Sequence, residues 1–347
     1  MKAKVLGEKV KVGRSVKLGE NAVIKGKNIK IEDNVSIGNN TVIAAQKIHI
    51  GFGTAIEENC KIFKVSGETS EFSVGDNCFI GHDSKIAVPI FKTGDYVSLN
   101  NHLFVNGIKP CIIGHNVWIG QNCILNSRDN LTIGNGVGIG TYSCVWTHGA
   151  HGELLEGCRI FKVAPVVLED DVWIVGSFNV VSPGVRLGKK SVILTGSVVT
   201  KDVAPCSCVA GNPAKDITDK LQPYKETSLD EKYEMMKKFM EEFASSRNAT
   251  KTRDGWRINK DRSIYEIVFM KNANNKAVQK DVPRVIFTKK DTVTRELRKT
   301  TIFDLSTKTY TKRRTAAEIA VIKSLLYSRA RFCPQESEQT LTKATRG

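Results

Sequence analysis

Residues 168–215 read LEDDVWIVGSFNVVSPGVRLGKKSVILTGSVVTKDVAPCSCVAGNPAK. Aliphatic residues recur there every six positions, at Leu168, Ile174, Val180, Leu187, Ile193 and Val199. An α-helix has a period of 3.6 and a flat strand a period of 2, so neither produces a six-residue spacing. A chain that turns a corner every six residues does. Three such faces close a triangular coil of about eighteen residues, the pattern of a parallel β-helix. The period ends in GNPAK, where Gly211 and Pro213 break it.

Working outward, the same spacing runs back to the start. Its triplets are Val12, Leu18, Ile24; Ile31, Ile37, Ile43; Ile50, Ile56, Ile62; Val74, Ile80, Ile86; Thr93, Leu99, Val105; Ile113, Ile119, Leu125; and Ile133, Ile139, Val145. With the two triplets after Leu168, these predict about nine coils. An independent check is the residue that follows each repeat position. It is glycine in 12 of 27 cases, where random placement of 28 glycines in 347 residues predicts about 2. A tight corner accommodates a residue without a Cβ. Two gaps interrupt the array, twelve residues from Ile62 to Val74 and 23 from Val145 to Leu168. Interruptions in solenoids are where binding residues concentrate.

The hydrophobic share of 41% and charged share of 25% describe a globular chain with no apolar run long enough to span a membrane. The opening MKAKVLGEKVKVG lacks the apolar centre of a secretory leader. Nine cysteines include no CxxC pair. Cys60, Cys78 and Cys123 each fall four residues after a repeat aliphatic, where small inward side chains fit, so they read as reduced core residues in a cytoplasmic protein.

The composition shifts after Lys215. All six histidines lie at or before His151, and the net charge of +16 divides into +5 for residues 1–215 and +11 for residues 216–347. Leu229, Tyr233, Met236, Met240 and Phe243 follow helical spacing. Apolar runs at Ile264–Met270, Val285–Phe287 and Ile302–Leu305 predict strands, and Thr315–Arg329 predicts a helix with Ile319, Ile322 and Leu326 on one face. Residues 216–347 thus form a basic α+β appendage, with a frayed polar tail from Gln335. Its charges are scattered and carry no RNA-binding motif, so no nucleic-acid partner is expected.

The repeat resembles that of the hexapeptide-repeat acyltransferases. Val117–Ile119 and Val172–Ile174, Ser-Pro-Gly-Val at 182–185, Gly-Ser-Val-Val-Thr-Lys at 196–201 and Gly-Asn-Pro-Ala-Lys at 211–215 carry the likeness, which is nearest to sugar O-acetyltransferases such as galactoside and maltose acetyltransferases. It covers residues 1–215 and implies a left-handed parallel β-helix. It also implies a homotrimer that binds acetyl-coenzyme A between subunits and a sugar or sugar-nucleotide acceptor, with a loop histidine as general base. Within the longer interruption, Thr147-His148-Gly149-Ala150-His151 matches the family's histidine element, so His148 is the expected base and His151 an orienting or acceptor-binding residue. On the same resemblance Trp173, Gly196, Ser197, Lys201, Gly211, Pro213 and Lys215 are the expected donor site. Val175, Phe178 and Leu194 replace residues that are usually smaller there, which affects donor contacts and the acyl chain accepted.

A hydroxyl attacking a thioester must lose its proton, and neutral imidazole can take it; such a base contributes roughly 10²–10⁴ in rate. The alternatives are N-acylation of a nucleotide-linked amino sugar and a non-catalytic carbohydrate-binding or scaffold solenoid. A zinc hydratase would need convergent ligands. His82, His115 and His148 are evenly spaced, but they occupy different contexts, so no metal site is expected. A nucleotidyltransferase has no room for a phosphate-binding domain before the coil that starts by Val12.

Overall fold

The computed structural model describes residues 2–63, 69–260, 263–273, 282–291 and 297–335. The chain divides into two compact units, residues 1–224 and 225–347. The tail from residue 336 onward, and residues 64–68 of the shorter interruption, lie outside the described residues.

The first unit is a parallel β-helix. One face stacks Leu18, Ile37, Ile56, Ile80, Leu99, Ile119, Ile139, Ile174 and Ile193 in register, each pairing with the next. These are the middle members of the nine predicted triplets. A tenth strand, Cys208–Ala210, continues the ladder through Ile193↔Val209. The stack therefore holds one rung more than the nine read from spacing, because the last rung is short and the GNPAK break hides it. The inward aliphatics form one continuous core, from Ile24 to Val209. In the first coil Val12 is 45% exposed.

Val180 is out of phase. Val181, not Val180, pairs with Val145 and points into the core. The corner after Ile174 contains an additional residue, braced by the buried Asn179, whose Nδ2 donates to the Val175 carbonyl at 2.9 Å.

The corners explain the glycines differently from a need for unusual dihedrals. A Cβ on Gly13 or Gly19 would lie 2.5 Å from the backbone nitrogen of Asp33 or Asn39 in the next coil. Close coil-to-coil approach excludes the side chain. The left-handed backbone sits instead on other residues, three positions after a repeat aliphatic, or four at Phe178, where the corner holds the additional residue. One corner column runs Asn21, Asn40, Asn59, Asp83, His102, Asn122, Tyr142 and Phe178, with φ between 55° and 61°. Asparagine tolerates this region and its amides stack: Asn21 Nδ2 donates to Asn40 Oδ1 at 3.0 Å, and Asn40 Nδ2 to Asn59 Oδ1 at 3.4 Å. The next residue of the column is Gly196, φ 73°.

Cys60, Cys78 and Cys123 are buried as expected, and all nine cysteines are free. Burial pushes the Cys60 and Cys123 thiols up to about 11 and the Cys78 and Cys111 thiols up to about 12.

The second unit is a seven-stranded mixed sheet, with strands in sequence order, and two helices that pack on the strand Arg284–Asp291. The helix Leu229–Ser245 starts at a capping box between Ser228 and Glu231 and buries Tyr233, Met236, Met240 and Phe243, the predicted face. The second helix, Ala316–Leu325, is shorter than the predicted 315–329 and is turned differently: Ala317, Glu318, Val321, Ile322 and Leu325 are buried. The cause is Glu318, which accepts from Thr301 Oγ1 and from the backbone N–H of Arg313, both at 2.7 Å, and so faces inward. Among the described residues no helix is long and apolar enough to cross a membrane.

Candidate active site around His148

The longer interruption leaves the stack as a hairpin. His148–Ala150 pairs antiparallel with Phe161–Val163, in the register His148↔Val163 and Ala150↔Phe161. Beneath it, the strand Ile124–Ser127 carries Asn126, 3% exposed. Asn126 Oδ1 lies 2.8 Å from His148 Nδ1 and also accepts from Thr147 Oγ1 at 3.0 Å and from the Arg128 backbone N–H at 3.3 Å. An oxygen that accepts a backbone N–H is an acceptor toward the imidazole as well. Nδ1 therefore carries the proton, and Nε2 keeps its lone pair. Thr147 is fully buried; it accepts from the Asp129 N–H at 3.1 Å, which fixes its hydroxyl toward Asn126. The Trp146 ring meets the His148 ring edge-on, centroids 5.9 Å apart. His148 is half-buried, with its backbone held in the hairpin. The arrangement holds the imidazole in one orientation while leaving it partly open to solvent.

His151 lies beyond the paired part of the hairpin, is exposed, and shares none of the hydrogen bonds that hold His148. Sequence reasoning missed Asn126. The signal was present: it directly follows the repeat position Leu125, one coil below the histidine.

The other expected site residues fall into two groups. Trp173 is 52% exposed and its indole covers Gly138, whose missing Cβ would lie 3.2 Å from Trp173 Cδ1. Gly196, Lys201, Gly211, Pro213 and Lys215 are exposed. No atom lies within 4 Å of where a Cβ on Gly196 would stand, so its backbone is bare. Beside it in the corner column, exposed Tyr142 and Phe178 stack with centroids 5.3 Å apart. Ser197 differs. It is fully buried; its Oγ donates to the Leu194 carbonyl at 2.5 Å and accepts the Gly211 N–H at 3.1 Å. Its hydroxyl holds the last coil in place and does not face solvent.

The spaced histidine trio does not act together. His115 Nδ1 accepts the Asp95 N–H at 2.8 Å, His82 Nδ1 lies 2.7 Å from Asp83 Oδ2, and His148 is held by Asn126.

The family model described as "Hexapeptide repeat of succinyl-transferase" matches residues 9–45, 28–62, 72–90 and 165–201. The chain is similar to the galactoside O-acetyltransferase of Escherichia coli, at 29% identity over 40% of this chain and 63% of that protein. It is also similar to a putative acetyltransferase of Schizosaccharomyces pombe, at 38% identity over 30% of this chain and 53% of that one. The chain thus spans between about half and two thirds of the length of these relatives. A crystal structure of a polySia-specific acetyltransferase aligns over 62% of this chain and 85% of its own, with 21% identity and a TM-score of 0.34.

Proposed function

We propose that this protein is an acetyl-coenzyme A-dependent O-acetyltransferase acting on a sugar or sugar-nucleotide hydroxyl, with His148 as general base. The observation that carries the reading is the Asn126–His148 hydrogen bond, which leaves Nε2 free to accept a proton. The similarity to acetyltransferases supports the reaction class. In the reaction the acceptor hydroxyl gives its proton to His148 Nε2 as its oxygen attacks the thioester carbonyl. The tetrahedral intermediate collapses, the C–S bond breaks, and the imidazolium returns the proton to the departing thiolate. Backbone N–H groups of the coil are the proposed oxyanion donors.

In this reading the donor runs along the backbone at Gly196 and Gly211, beside Trp173 and Pro213, with Lys201 and Lys215 toward its phosphates, while buried Ser197 supports the coil beneath it. A homotrimer with the donor cleft between subunits is supported by the hairpin, which leaves Leu155 89%, Ile160 80% and Phe161 56% exposed in the single chain. Residues 216–347 are assigned to acceptor choice or packing. Nine free thiols support a reducing, cytoplasmic setting.

The test is thiol release from acetyl-coenzyme A with panels of sugar hydroxyl and amino-sugar acceptors. His148→Ala is expected to lose roughly 10²–10⁴ in turnover with unchanged donor affinity. Near-wild-type turnover in that variant would remove the base assignment, and activity confined to the amino sugars would replace O- with N-acylation.

A further inference from the structure

Away from His148, the corner that follows Ile80 carries His82 and Asp83, and the corner one coil above carries His102. Ile80 pairs with Leu99 and Lys85 with Phe104, and in that register His102 stands over Asp83. The His82 Nδ1–Asp83 Oδ2 separation is 2.7 Å. The two imidazoles meet edge to face with centroids 4.9 Å apart. One ligating atom from each of the three residues lies within 4.8 Å of the other two.

We propose that His82, Asp83 and His102 form a binding site for a zinc-class divalent ion. Two imidazole nitrogens and one carboxylate oxygen are a donor set for zinc, with bonds of about 2.0–2.2 Å and a solvent molecule as fourth ligand. Tetrahedral geometry at those lengths separates the donors by about 3.3 Å. The His82–Asp83 pair opens by roughly half an ångström and His102 closes by at most roughly 1.5 Å, within the reach of a side-chain rotation. The ion takes the place of the proton shared by Nδ1 and Oδ2, so the bound groups are neutral imidazoles and a carboxylate.

The backbone around the donors is fixed. The His82 N–H donates to Glu57 Oε2 at 3.1 Å, the His102 N–H donates to the His82 carbonyl at 3.0 Å, and Asn59 of the coil below hydrogen-bonds Asp83. The side chains remain accessible, with His82 36% and Asp83 43% exposed. His82 also lines an open hollow of about 420 Å³ together with Ile37, Ile56, Glu57, Glu58 and Phe79. The corner itself does not demand these residues. Asn21, Asn40 and Asn59 meet the same left-handed backbone in the preceding coils with φ of 58°, 55° and 59°. The first departures from asparagine along the column fall at two successive coils, Asp83 and His102, and each brings a metal-binding group.

That equivalence supplies the test. Asp83→Asn and His102→Asn install the residue the column already uses, so the fold is kept, and His82→Gln removes the third ligand. Metal-free full-length protein is titrated with zinc against a chromophoric chelator, and with cobalt(II) while the visible d–d absorption is read. Wild type is expected to bind one equivalent with a tetrahedral cobalt band. Each variant is expected to lose more than about tenfold in affinity, with an unchanged thermal midpoint in chelator. No zinc uptake by wild type would overturn the proposal. So would a one-equivalent signal that survives all three substitutions, which would place the ion on thiolates elsewhere.

Discussion

Replacing Asn126 with Ala isolates the contact that orients His148, the proposed base. The substitution removes Oδ1 from His148 Nδ1, Thr147 Oγ1 and the Arg128 N–H. Thr147 keeps a second acceptor, the Asn126 carbonyl at 3.1 Å, and Arg128 is exposed to water. The stability loss should therefore be about 1–2 kcal/mol, one or two ordinary hydrogen bonds, and the fold survives it. The catalytic loss is set by the bond to His148. About 0.5–1.5 kcal/mol of orientation corresponds to a factor of roughly 2–13 in the fraction of imidazole aligned in the productive tautomer. Turnover in thiol release should fall by about that factor with the donor KM unchanged. The decisive comparison is the double variant. If Asn126 acts only through His148, Asn126→Ala should cost nothing further in a His148→Ala background. A second, equal drop in the double variant would show that Asn126 acts on the substrate or on the fold, and the positioning argument would be refuted.

Gly19→Ala should lower the urea midpoint, with a loss of about 1–3 kcal/mol, because the new Cβ meets the backbone nitrogen of Asn39 at 2.5 Å; an unchanged midpoint would mean the coils separate easily. At pH 8 a neutral alkylating agent should modify exposed Cys206 and leave Cys78 and Cys111 untouched until denaturant is added, since burial pushes both thiols up to about 12 and keeps them protonated; mass spectrometry that finds Cys111 modified in native protein contradicts the core assignment. Light scattering should give about 115 kDa, three times the 38.3 kDa chain, whereas a fully active monomer excludes a shared donor cleft. A chain ending at Tyr224 should melt cooperatively and bind coenzyme A, and loss of donor binding in a folded truncation would assign the second unit a part in it.

The sequence revealed the solenoid because six-residue spacing is imposed by every corner and repeats too often to be hidden. Single corners were less legible. Val180 and Val181 are both aliphatic, so a one-residue insertion before them leaves the composition unchanged and shifts only the phase. The left-handed columns could have been found from asparagine three positions after the repeat aliphatics, as at Asn21, Asn40 and Asn59. His148 was visible as a histidine in a long interruption. Asn126 was legible only indirectly, through its place after Leu125, because its contact with His148 emerges once the coil beneath the hairpin is aligned. His82 and His102 look unrelated in sequence and become neighbours through one full step of the coil, a separation that linear spacing rules for metal ligands do not consider. In the second unit the helix Ala316–Leu325 was misphased because the buried carboxylate of Glu318 counts as polar in any apolar pattern.

The hairpin leaves no mark on the ladder it interrupts. Ile133 pairs with Ile113 on one side, across an ordinary coil, and with Leu168 on the other, across the whole interruption, in the same parallel register. The additional residues therefore leave the strand pairing of the stack unchanged. Lengthening, shortening or exchanging the segment from residue 149 to 161 should leave that pairing intact, provided the ends at His148 and Lys162, whose side chain lies beside Gly184, still meet. Acceptor preference and stability can then diverge independently, and a library confined to that segment should retain the melting behaviour of the parent while its members differ in what they bind.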